Sequence, residues 1–325
     1  MHRDQSLDAL RGLAAFAVCL YHICFADSYM PKNSFCESFA QFGDKGVQVF
    51  FILSGLVIPW SLSFRKYEYT LIKEFLLRRL IRIQVPYGIA LTITIFCYVL
   101  FIEQSTPLNA KSILNNFLYL VPYSSDSWIL NVAWTLGVEV QFYLVVAICF
   151  PFFASKYPSV RRLSLLGLAS MGLIPAPESI NPWYFFPTWA PFFAVGIIIF
   201  LLRTGKIAKK EFYLSFSIFL CFLLIQYTKL LSLVCLCTTV FLLYFHSFKF
   251  PSILTFLGKI SYSLYLIHLP LILIAGMILN QSNFSENYPN LSVAVLLLAA
   301  ISGSTLFYIL FEKPSLKWAK MLKKV

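Results

Sequence analysis

An ionisable side chain inside a long apolar run costs a few kcal/mol to insert into a bilayer, so each one is a functional candidate. Arg11 and His22 share the run LDALRGLAAFAVCLYHICFA. On a helix they stand about three full turns apart and point the same way, with a rise of about 16 Å between them. One stripe then carries a cation near one end and an imidazole towards the other. Asp8, one turn before Arg11, is placed to pair with it. Glu139, in AWTLGVEVQFY, is the only acid expected well inside an apolar run. Counted from the ends of their helices, Glu139 and His22 fall at a common depth, about 8–10 Å below the outer face. A carboxylate that orients and charges an imidazole is the support a general base needs. The same pair would equally serve to tie two helices together.

Further candidates are weaker on their own. His268, in ISYSLYLIHLP, forms a polar stripe with Ser261, Tyr262 and Tyr265, and suits catalysis and helix packing about equally. Ser54–Gly55 interrupts GVQVFFILSG and allows close backbone approach or a local break. In LLRRLIRIQVPY, Arg79 and Arg82 are three apart and share a face beside Arg78. Guanidinium forks at that spacing suit a phosphate-bearing ligand, or else lipid headgroups. No spacing of a metal-binding type appears. Seven of the eight cysteines fall in apolar runs, where they read as small apolar side chains, and Cys36 lies in a predicted loop.

These residues need a scaffold of spanning helices. The chain is 59% hydrophobic and only 12% charged, about half the charged share of a soluble domain, and no stretch is long enough to build one. Ten spans are predicted: 7–26, 46–64, 83–102, 132–153, 163–177, 184–202, 211–228, 230–248, 258–279 and 290–311. The fifth is the shortest, and a tight turn around Lys229 divides the seventh from the eighth. Asp8, Arg11 and His22 make the first run a poor signal peptide, so it reads as an uncleaved helix. With the N-terminus inside, all of the 26 Lys and Arg except Lys32, Lys45, Lys111 and Lys229 fall on the cytoplasmic side. That asymmetry predicts both termini in the cytoplasm. It also explains the net charge of +12 without nucleic acid, because the basic residues sit between apolar runs and meet anionic lipid. The external segment 103–131 is expected to lie on the membrane surface or to fill part of a cavity. No internal repeat of the transporter kind is visible.

Taken in order, LDALRGLAAFAVCLYH, GVQVFFILSG, RRLIRIQVPY, AWTLGVEVQFY, LGKISYSLYLIHLP and FEKP resemble the acyltransferase-3 family of integral membrane O-acyltransferases. The resemblance runs from residue 7 to residue 314. It implies an all-α, polytopic bundle of about ten spanning helices; some relatives carry a further C-terminal domain, whereas this chain is expected to form one transmembrane acyltransferase domain over 1–325 with no appended soluble domain. It further implies Arg11 and His22 as the signature pair, with His22 as catalytic base or transient acyl acceptor. Arg79 and Arg82 match the donor-binding arginines, and Glu139 matches the acid of the fourth-helix motif. Many relatives carry two acids in a row there; here Val140 takes the second place.

The expected reaction moves an acyl group, acetyl above all, from cytoplasmic acyl-CoA to a hydroxyl of an envelope or extracellular glycan. His22 and Glu139 are the expected catalytic residues. Arg11, Arg79, Arg82 and Ser54 are expected at the donor, with Tyr262, Tyr265 and His268 as additional candidates. No metal and no tightly bound cofactor is expected; acetyl-CoA enters as a substrate. The partners are acyl-CoA, a glycan or lipid-linked glycan, and the lipids of the cell inner (plasma) membrane. The competing reading is a proton-coupled transporter or flippase of a glycan precursor, which the buried acid and imidazole would also suit.

Overall fold

The computed structural model describes residues 4–26, 31–32, 34–101 and 108–322. Three of the predicted cytoplasmic charges, Arg3, Lys323 and Lys324, lie outside the described residues, as does the start of the 103–131 segment. The first half of the chain forms α1 (Gln5–Phe25), α2 (Glu37–Ala40), α3 (Gly46–Phe64), α4 (Ile72–Phe101), α5 (Ala110–Phe117), α6 (Trp134–Phe153) and α7 (Pro158–Ser170). The second half forms α8 (Phe186–Arg203), α9 (Lys209–Gln226), α10 (Lys229–Tyr244), α11 (Ser252–Asn280), α12 (Phe284–Asn287), α13 (Pro289–Phe307) and α14 (Lys313–Met321). Among the described residues there is no strand.

Seven of these segments are long and apolar enough to cross a membrane. They contain α1, α3, α4, α6, α8, α11, and α13 continued through α14, and they match seven of the ten predicted spans. The other three predicted spans are helical but fall short of that standard. The segment 163–177 is α-helical only to Ser170, at the end of a 13-residue helix about 20 Å long, and one 3-10 turn, Met171–Leu173, follows it. A hydrocarbon core of about 30 Å asks for more. Helix α10 has 16 residues, and α9 opens with Lys209, Lys210 and Glu211. A second difference lies in α4. It begins at Ile72 rather than near 83, so Arg78, Arg79 and Arg82 sit within the helix and not at its mouth.

The chain divides into two compact units. The first comprises residues 1–7, 47–77 and 134–249. Its centre is α8, in which every residue from Phe186 to Leu201 except Thr188 is buried. A helix apolar on all sides belongs in the interior of a bundle. It meets α3 through two glycines: Gly55 lies against the backbone of Phe193, and Gly196 against the backbone of Ile52 and Gly55. Around this crossing, Phe142 stacks on Phe193 with ring centroids 4.2 Å apart, and Phe51 and Trp189 close the cluster. At the periphery Arg161 of α7 reaches both oxygens of Glu211 on α9, at 3.1 and 3.2 Å, and Arg203 pairs with Asp4 at 2.8 Å.

The second unit comprises residues 8–46, 78–133 and 250–325. Helix α1 lies on α11 where Gly12 faces Gly258; a methyl group on Gly12 would come within 2.7 Å of the Gly258 nitrogen. Helix α11 packs along α13, to which α12 connects it. The predicted external segment folds inward through Asn116, which is fully buried. Its side-chain amide donates to the carbonyls of Ser112 and Ser127, and its oxygen accepts from the Ile129 nitrogen at 2.9 Å. The Tyr87 hydroxyl donates to the Asn116 carbonyl at 2.9 Å. Trp128, Ile129 and Leu130 are buried as a result. Beside them, the Asn115 amide 2.6 Å from Asp126 holds that carboxyl below its ordinary range. At its end, Ile129, Leu130 and Asn131 form part of the wall of a cavity.

Candidate active site

Helix α1 carries His22 into the second unit, where its partner is another imidazole. Nε2 of His268, on α11, stands 2.9 Å from Nδ1 of His22, and the ring centroids are 5.0 Å apart. His268 is 0% exposed, and its Nδ1 lies 2.8 Å from the Leu264 carbonyl one turn back. Depth along the helices predicts a carboxylate partner for His22; its hydrogen-bond partner in the structure is His268. Glu139 lies in the other unit, and its Oε1 accepts from the Ser54 hydroxyl at 2.9 Å and the Tyr143 hydroxyl at 2.8 Å. Ser54, expected at the donor, spends its hydroxyl on that carboxylate, while Gly55 beside it makes the close helix contact.

His22 is half-buried and lines a cavity of about 300 Å³. Tyr21 from the same helix, Thr94 and Tyr98 from α4, Asn131, and Pro270 from α11 complete much of the wall. These groups give a mixed polar and apolar lining, the kind that positions a polar ligand by a few hydrogen bonds. Tyr262 and Tyr265 do not contribute to that wall. The Tyr262 hydroxyl donates to the Ile83 carbonyl at 2.8 Å, and the Tyr265 hydroxyl to the Val132 carbonyl at 3.2 Å. Both anchor α11 to its neighbours, so the stripe read from sequence splits between packing and His268.

A second polar centre forms around Glu312, which sequence reasoning passed over. The predicted span ends at 311, but the helix continues to Met321, so the acid lies inside it and is only 5% exposed. Glu139 is therefore not the only acid in a span. The Ser263 nitrogen and hydroxyl both donate to Glu312 Oε2, at 3.1 and 2.5 Å. Arg11 and Arg82 lie within electrostatic reach of the same carboxylate. Two of the expected donor arginines, from α1 and α4, are thereby brought to one acid. Residues Tyr308–Glu312 are wound as a π-helix, a feature that often marks functional positions. Arg79 is half-buried, whereas Arg78 is the buried member of the trio, and its Nη2 donates to the Leu322 carbonyl at 3.4 Å. Among the described residues no cluster of His, Cys, Asp and Glu is arranged to hold a metal ion.

A family profile described as an acyltransferase domain matches residues 4–309. The chain belongs to the acyltransferase-3 family. With seven helices long and apolar enough to cross a membrane, this family member is a multi-pass membrane protein that carries an acyltransferase domain. It is similar to the peptidoglycan O-acetyltransferase OatA of Listeria monocytogenes, with 29% identity over 156 residues. That match covers 43% of this chain and 23% of the relative, so the chain spans about a quarter of the length of the protein it resembles. No solved structure matches.

Proposed function

We propose that the protein transfers an acetyl group from acetyl-CoA to a hydroxyl of a cell-envelope glycan, with His22 as the general base. The observation that carries this reading is the placement of His22: it lines a polar cavity and is held from behind by a buried imidazole. A sugar hydroxyl is a weak nucleophile at neutral pH. Removing its proton during attack on the thioester carbonyl is worth roughly 10²–10⁴ in rate. The new C–O bond forms as the C–S bond breaks, and the departing thiolate takes the proton that His22 has accepted. Arg11, Arg79 and Arg82 are assigned to the phosphates of the donor, to which guanidinium forks are suited. Arg11 and His22 lie on the continuous helix α1, about 16 Å apart by its rise. The extended pantetheine arm of coenzyme A reaches across a gap of that order, with its phosphates at Arg11 and its thioester at His22.

The cluster of Lys and Arg between spans supports cytoplasmic termini, a donor approaching from inside, and residence in the plasma (inner) membrane. In that reading the three shorter helices complete a ten-span topology. Likeness to a peptidoglycan O-acetyltransferase makes an amino-sugar polymer of the envelope the favoured acceptor. The test is His22→Ala in proteoliposomes supplied with acetyl-CoA and peptidoglycan fragments. Acetyl transfer is expected to vanish, while protein level and acetyl-CoA binding stay near wild type. Wild-type transfer by this variant would overturn the assignment.

A further inference from the structure

We propose that His268 is a positioning residue that fixes the tautomer of His22, leaving the cavity-facing nitrogen of His22 unprotonated and ready to act as base. The Leu264 carbonyl can only accept, so the His268 Nδ1 that faces it at 2.8 Å must carry a hydrogen. Among the described residues no carboxylate is in contact with either ring, and a fully buried imidazolium so placed is costly, so the pair rests neutral. A neutral ring protonated at Nδ1 has a bare Nε2. That bare Nε2 of His268 stands 2.9 Å from Nδ1 of His22, and can only accept there. His22 therefore carries its own hydrogen on Nδ1. His22 is thus neutral and protonated at Nδ1, so its Nε2 holds a lone pair. Nδ1 is turned to His268, so the ring edge left for the cavity is the one bearing Nε2.

The relay also serves the charged stage of the reaction. When a hydroxyl gives its proton to His22 Nε2, the resulting positive charge lies beside the lone pair of His268 Nε2. The hydrogen on His22 Nδ1 can then move towards His268, whose far nitrogen remains bonded to the Leu264 carbonyl. Two imidazoles share the charge, and among the described residues no carboxylate is in contact with them. When the thiolate departs, the proton on His22 Nε2 leaves with it and the resting arrangement returns. No oxidant, metal or additional proton donor is needed.

This inference rests on His22 being the base, and the test separates the two. His268→Leu removes the acceptor and frees His22 to adopt either tautomer. His268→Gln offers an amide oxygen where Nε2 stood. With acetyl-CoA and peptidoglycan fragments, His268→Leu is expected to lower kcat by about 10²-fold or more, with the KM for acetyl-CoA within about twofold. His268→Gln is expected to restore kcat to within about tenfold of wild type. NMR of the resting protein with isotope-labelled histidine should show His22 protonated at Nδ1 and bare at Nε2. A His268→Leu enzyme with wild-type kcat overturns the relay, as does a His22 protonated at Nε2 in the wild-type protein. If His268→Leu fails to fold, the NMR tautomer and His268→Gln still decide the matter. Activity retained in His22→Ala would instead remove the base, and the relay with it. A silent His22→Ala alongside a fully active His268→Leu removes the relay alone.

Discussion

Ser263 holds Glu312 by two donors at once, its backbone nitrogen at 3.1 Å and its hydroxyl at 2.5 Å, both on the same carboxylate oxygen. The contact joins α11 to the π-helical stretch that follows α13, and it sets the acid in reach of Arg11 and Arg82. Glu312→Ala strands a buried N–H and a hydroxyl and should cost about 1–3 kcal/mol or more. Ser263→Ala keeps the backbone donor and should cost less. Thermal melts in detergent give the ranking; equal losses would mean that the acid acts only through the hydroxyl.

The arginines of α4 should separate by role. Arg79→Lys and Arg82→Lys keep charge but lose the planar fork, so the KM for acetyl-CoA should rise about tenfold with expression unchanged. Arg78→Lys should instead lower stability, because Arg78 is buried and bonded to the Leu322 carbonyl. Unchanged donor binding in the Arg79→Ala, Arg82→Ala double variant would confine those two residues to topology and lipid.

Glu139→Gln offers a clean separation of charge from structure. The carbonyl oxygen of Gln can still accept from Ser54 and Tyr143, so melting temperature and expression should not change. Transfer rate should also stay within about tenfold of wild type, because His22 is supported by His268 and not by this carboxylate. Glu139→Leu should cost about 1–3 kcal/mol, because two hydroxyls lose their acceptor. A fully active Glu139→Gln would leave Glu139 as a tie between helices.

The α3–α8 crossing sets a steric prediction. A methyl group on Gly196 runs into the Ile52 carbonyl, which is backbone and cannot rotate away. Gly196→Ala should therefore destabilise by about 1–3 kcal/mol. Gly167, within α7, has nothing within 4 Å of an added methyl group. Gly167→Ala should be neutral or stabilise by about 0.5–1 kcal/mol through lost chain entropy. Melting curves of the two variants side by side check the contrast.

What could be read in the chain was what depends on neighbours in sequence. The spacing of Arg11 and His22 fixes their common stripe because one helix, Gln5–Phe25, carries both. The run GVQVFFILSG announced a close helix contact, and Gly55 makes one. His268 could be picked out as a buried polar residue, but its partner lies 246 residues away, and a single sequence holds no record of that pairing. Glu312 escaped because the apolar count stops at 311, whereas the backbone keeps its hydrogen bonds through FEKP and places Pro314 in the first turn of α14. The three shorter spans stay open for a similar reason. Apolar runs of about 15–20 residues are compatible with crossing the bilayer and with packing inside the protein, and composition alone does not choose between them.

The π-helical stretch at Tyr308–Glu312 has a bearing on the reading frame of the helix itself. A π turn accommodates one residue more than the α turn it replaces, so everything after it is rotated by about 100° relative to an uninterrupted helix. The surface that α13 lays on α11 and the side on which Glu312 meets Ser263 are consequently offset by one position. Excising a single residue from Tyr308–Phe311 would mend the hydrogen-bond ladder and make the helix more regular. It would also swing the acid off Ser263, so that the more ideal helix would lose the contact that ties it to α11.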